Sequence, residues 1–120
     1  MAPVALAAVS DLFFATKIRT TANLSGINLG IVTSAKELVE RVAREQPTVV
    51  VVDLNEQRFD PFEAIRLLRA APWGLSVPVV GFFSHVQVEL KTKAEAAGAT
   101  RVLPRSAFVE RLPDILNGQL

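Results

Sequence analysis

The chain has 120 residues, half of them hydrophobic, with a formal net charge of +1 and no cysteine. Residues 1–120 are read as one domain, long enough to bury a core without staples. The near-neutral charge argues against a polyanionic partner, so no nucleic acid is expected to bind directly. The lack of cysteine removes disulfides, thiolate chemistry and cysteine-based metal sites.

The chain opens on an apolar run, Val4 to Val9, interrupted by Asp11. It has no basic leader and falls short of the roughly 20 residues that span a bilayer, so it is read as a first strand rather than a signal or an anchor. No other uncharged segment approaches that length, and neither a membrane association nor a compartment other than the cytoplasm is expected. A helix follows over Thr16 to Leu24, stopped by Gly26, and a second strand over Leu29 to Val32. Ser34 and Glu37 form a capping box, after which Leu38, Val39, Val42 and Ala43 make one apolar stripe while Lys36, Glu40, Arg41 and Arg44 face away. The third strand, Val49 to Val52, runs straight into Asp53. Asp60, Pro61 and Glu63 start a further helix that turns Phe62, Ile65 and Leu68 inward. Trp73, in the stretch APWGLSVP, is expected to lid the sheet edge. A strand over Val79 to Phe83, a helix over Val86 to Ala97 ended by Gly98, a short strand at Val102 and Leu103, and a helix over Ala107 to Leu116 complete the series. Pro113 is expected to kink or split that last helix.

Runs that are apolar at every position suit strands covered on both faces. Five strand-helix repeats therefore predict an α/β fold, a flavodoxin-like (βα)5 doubly wound parallel sheet in the order 2-1-3-4-5. Such a sheet leaves a crevice where the first and third strands end. Ser10 and Asp11, Asp53 with Asn55, Ser84 and Arg105 all follow strands at that rim. Carboxylates a few ångströms apart repel by roughly 1 to 4 kcal/mol, which calls for a compensating cation or a raised pKa. Mg²⁺ would suit, being bound by one or two carboxylates, a carbonyl and water. Asp53 could then serve as a nucleophile toward phosphorus. Simpler roles compete: Asp11 as a helix cap, Ser84 as a capping hydroxyl, Arg105 as a surface ion pair with Asp53. His85 is the only histidine, and Gly26, Gly30 and Gly81 form no phosphate-cradling motif, so an enzyme is not expected.

In this order the residues resemble the receiver domain of two-component response regulators, of the chemotaxis-regulator type, over essentially the full chain. The segments FDPFEAIRLLR and AEAAGATRVLPR strengthen the likeness. The resemblance implies Asp53 as phospho-acceptor, Ser84 as the hydroxyl after the fourth strand and Arg105 at the lysine position. It also implies a metal site from Asp11, Asp53 and the backbone carbonyl of Asn55. Departures are visible. Ser10 replaces an acid, weakening the Mg²⁺ site, and Arg105 replaces lysine. Ser106 replaces proline, and Val102 stands where the family carries its switching aromatic. His85, Phe13 and Phe14 crowd the entrance. The implied partners are a histidine kinase or phosphotransfer protein and a downstream effector protein through which the output is expected to pass. A homodimer through the fourth helix, fifth strand and fifth helix, around Val88, Val102 and Phe108, is a further implication. The rival reading is a degenerate receiver acting as a phosphorylation-independent interaction module.

Overall fold

Every side chain of Val49–Asp53 is buried. Successive side chains of a strand point to opposite faces, so this strand must be covered on both. The computed structural model, which describes residues 3–84 and 88–120, meets that demand. Strands β1 (Val4–Ala8), β2 (Asn28–Val32), β3 (Val49–Asp53), β4 (Val79–Phe83) and β5 (Arg101–Pro104) form a parallel sheet in the order β2-β1-β3-β4-β5. Helices α1 (Leu12–Leu24), α2 (Ala35–Glu45), α3 (Pro61–Ala70), α4 (Val88–Ala97) and α5 (Arg105–Leu116) cover it. Leu6, Ala8, Val50 and Val52 face a core closed by α2, α3 and α4, whereas Ala5, Ala7, Val49, Val51, Val80 and Phe82 face one closed by α1 and α5. The predicted doubly wound architecture is the one observed.

Boundaries differ from expectation in ways that bear on the cleft. Helix α1 begins at Leu12, not Thr16, because Asp11 accepts a hydrogen bond from the Phe14 amide at 3.1 Å and caps it. Leu12 and Phe13 in that first turn are over four-fifths exposed, and their apolar character disguised the helix start. Helix α5 begins at Arg105 and passes Pro113 without dividing. Pro113 cannot donate to the Val109 carbonyl one turn back, and the burial of Leu112, Ile115 and Leu116 around it holds the helix to the sheet. The expected start of the fourth helix at Val86, and His85 before it, lie outside the described residues.

Trp73 does not lid a sheet edge. It sits in a short 3-10 turn (Pro72–Gly74), half-exposed, and its indole donates to the Val39 carbonyl at 3.3 Å. Pro47 and Pro78 share its groove, which places it by the starts of β3 and β4, both interior strands of the sheet.

The same lower pole is tied by Arg69. Its guanidinium donates to the carbonyls of Gly74 (2.7 Å), Val77 (2.7 Å) and Gly98 (2.9 Å) and to the Thr100 hydroxyl (3.2 Å). Gly98, at φ +116°, has the backbone that ends α4, and a Cβ there would collide with the Arg69 side chain. Burial lowers the Arg69 pKa. Its removal would leave several carbonyls without donors, so Arg69→Met is expected to cost about 2–4 kcal/mol in urea unfolding, an unmet buried acceptor costing about 1–3 kcal/mol.

Candidate functional site

The parallel register carries the ends of β1, β3 and β4 to one rim, with Ala8 opposite Val52 and Asp53 opposite Phe82. Ser10, Asp11, Asp53, Asn55, Ser84 and Arg105, the residues singled out from the sequence, all line one cleft of about 370 Å³ there. Glu56, Gln57 and Arg58 complete its wall.

Asp53 is 6% exposed. Its Oδ1 accepts from the Asn55 amide at 2.8 Å, an Asx turn that fixes the carboxylate at the strand end. Burial pushes its pKa up. The Asn55 amide and the Arg105 charge pull the other way, while the charges of Glu56 and Asp11 add to the rise. Asn55 also reaches across to β4, where its carboxamide oxygen accepts from the Ser84 amide at 2.7 Å and the Ser84 hydroxyl at 3.1 Å. The hydroxyl expected at the site is therefore engaged by a side chain two residues from Asp53.

Glu56 went unnoticed in the sequence. Its carboxylate accepts from the Ser10 amide (2.7 Å), the Ser10 hydroxyl (2.6 Å), and the amides of Gln57 (3.0 Å) and Arg58 (2.9 Å). Burial raises its pKa, but these donors together outweigh burial and the net direction is down. No periodicity marks such a residue. The only available signal was a charge three positions past Asp53 with no place on the helix that follows.

Arg105 does not pair with Asp53. Its guanidinium carbon lies 4.5 Å over the Phe14 ring, and among the described residues no ion pair to a cleft carboxylate is present. Its Nε is buried without a partner. Beneath it, Phe14, Phe82 and Phe108 stack with centroids 4.8 and 4.3 Å apart in succession. Phe14 thus belongs to the core, whereas Phe13 is exposed and is not among the residues lining the cleft. Of the three residues named for the expected dimer face, Phe108 and Val102 are buried and Val88 is 72% exposed. No peptide bond among the described residues is cis, so the bond before Ser106 is trans.

The donor set suits a hard cation. Asp11, Asp53 and the Asn55 carbonyl offer oxygen only, the ligands Mg²⁺ takes. Among the described residues no three ionisable ligand side chains converge, so carboxylates can supply at most two positions, with the carbonyl and water supplying others. No helix among the described residues is long and apolar enough to cross a membrane.

No protein-family model matches the chain. It is 27% identical over 107 residues to the response regulator MprA of Mycobacterium leprae, covering 89% of this chain and 46% of that protein. The chain thus spans about half the length of that relative. The chemotaxis response regulator CheY4 of Vibrio cholerae superimposes with a TM-score of 0.84 at 19% identity over the whole of both chains. The receiver domain of the sensor histidine kinase PA1611 of Pseudomonas aeruginosa, solved with magnesium coordinated in its active-site cleft, gives 0.82 at 18% identity, covering 98% of this chain and 99% of that one. The fold is that of response regulator receiver domains.

Burial of the Asp53 carboxylate, with Glu56 and Asp11 adding to its effect, predicts an unusual pH dependence. Because the folded pKa of Asp53 is raised above its ordinary value of 3.8, its ionisation opposes folding, and the cost grows as pH rises through the folded pKa. Asp53→Asn is expected to raise the melting temperature at pH 7 without Mg²⁺. The gain should vanish below the ordinary carboxyl range, as followed by thermal unfolding between pH 3 and pH 8.

Proposed function

We propose that the chain is a two-component receiver that accepts a phosphoryl group on Asp53. The observation that carries this reading is the buried Asp53 carboxylate, ending the central strand in a cleft shared with Asp11, Ser84 and Arg105. The receiver fold and the likeness to a response regulator support it.

In the proposed reaction a carboxylate oxygen of Asp53 attacks the phosphorus of a phosphohistidine on a histidine kinase or phosphotransfer protein. The new O–P bond forms as the P–N bond breaks, and the imidazole leaves with its electron pair. Asp11, Asp53 and the Asn55 carbonyl would hold Mg²⁺. Bound there, the ion would supply charge neutralisation for the phosphoryl oxygens. Arg105, whose planar fork suits phosphate, has only to leave the Phe14 ring to pair with the new dianion. Ser84 has to release Asn55 to donate to it. The acyl phosphate adds about 1.5 to 2 negative charges, enough to bias two loop arrangements. Residues 1–120 would act as one receiver unit, a signalling module rather than an enzyme, in the cytoplasm, with its output delivered through an effector protein.

A second reading, a receiver kept as a phosphorylation-independent interaction module, is favoured by specific contacts. Arg105 is stacked on Phe14, the Ser84 hydroxyl is held by Asn55, and Val102 is buried where the switching aromatic was expected. Incubation with MgCl₂ and acetyl phosphate distinguishes the two when followed by intact mass. The receiver reading expects an increment of one phosphoryl group that Asp53→Asn abolishes. An unmodified natural chain at high Mg²⁺ would favour the interaction module. Trp73 lies at the opposite pole from the cleft, so mass is a better readout than fluorescence.

A further inference from the structure

We infer that Glu56 is a positioning residue of the cation site: its buried carboxylate, held against Ser10 at the end of β1, supplies the negative charge that residue 10 lacks. The inference rests on the cation-assisted receiver reading above and concerns where the charge of that site resides. Three observations carry it.

Glu56 lines the same cleft as Asp11 and Asp53 and is only 9% exposed. A carboxylate so placed stays charged only where hydrogen bonds or a partner charge replace its lost hydration. Its donors, the Ser10 hydroxyl and three main-chain amides, are all neutral. They stabilise the anion and leave its charge in place. Among the described residues no lysine or arginine forms an ion pair with it, so its charge stays with the cleft.

The contact partner is itself informative. Both the amide and the hydroxyl of Ser10 point to Glu56, across 46 residues of sequence. The short Ser10 side chain leaves room for the longer one to arrive from the other side, so the carboxylate sits against residue 10 although it belongs to the loop after β3. Its oxygens are taken up by these donors, which agrees with the lack of three converging ligand side chains. Glu56 therefore acts on a cation through the field and through Ser10, not by direct coordination. A simple staple would need the hydrogen bonds alone, whereas the inferred role needs the charge.

Moving the charge separates the two. Mg²⁺ binding to the full chain is titrated calorimetrically with MgCl₂, and folding of each variant is checked by thermal unfolding. Glu56→Gln is expected to weaken Mg²⁺ binding by roughly tenfold, the order expected from removing one charge from a shared cleft. Ser10→Asp combined with Glu56→Gln, which returns the charge to β1, is expected to restore binding to within about threefold of the natural chain. Ser10→Ala, which removes a hydrogen bond and keeps the charge, should stay within the same about threefold range. Unchanged binding in Glu56→Gln, or a folded double variant that binds as weakly as Glu56→Gln, overturns the inference. So does a folded Ser10→Ala that loses as much as Glu56→Gln. If Glu56→Gln does not fold, the double variant decides alone. A natural chain that takes up no Mg²⁺ would instead overturn the receiver reading together with this inference, so the two failures are distinguishable.

Discussion

A carboxylate driven to the end of a strand buried on both faces is the constraint around which the cleft is arranged. Asp53 is almost wholly covered, yet the residues nearest it include two further acids, and burial already disfavours its charged form. A protein can tolerate such a group by pairing it, neutralising it or surrounding it with fixed donors. Here the loop from Asp53 to Arg58 does the last of these. Asn55 donates its amide to Asp53, and the Glu56 carboxylate is cradled by Ser10 and by two amides of its own loop. The remaining charge is left for a ligand.

The basic group that α5 brings to the cleft is held back by a different force. Arg105 lies on an aromatic column built from α1, β4 and α5, an arrangement worth about 0.5–2 kcal/mol in cation–π attraction. A phosphoryl dianion offers a guanidinium stronger, charge-assisted bonds. Its unpartnered Nε weakens its hold on the resting position further. The substitution of arginine for lysine thus has a structural companion, Phe14, which gives the flat guanidinium a surface on which to rest.

The parts of the fold that could be read from sequence are those decided over short distances. The Ser34–Glu37 box caps α2 with a 3.1 Å bond from the Glu37 amide, and Asp60 caps α3 through the amides of Phe62 and Glu63. The five apolar runs marked the strands, and their alternation with helices implied a parallel sheet covered on both faces, in which the expected order 2-1-3-4-5 is the one observed. Strand ends then followed from topology, which is why Asp11, Asp53, Ser84 and Arg105 could be grouped before any coordinates. Glu56 and the stack beneath Arg105 were not legible, because each depends on how segments far apart in the chain meet. Phe14 and Phe108 read as entrance and surface residues for the same reason: adjacent apolar side chains on a helix point in different directions, and composition does not say which is inward.

The loop after β3 is fastened at both sides, to β1 through Glu56 and to β4 through Asn55. A yoke of this kind couples its two flanks mechanically. A displacement that frees Ser84 pulls on the same six-residue span that steadies Ser10, so a disturbance at the acid is shared between the ends of β1 and β4. Meanwhile the Arg69 clamp holds the far pole still.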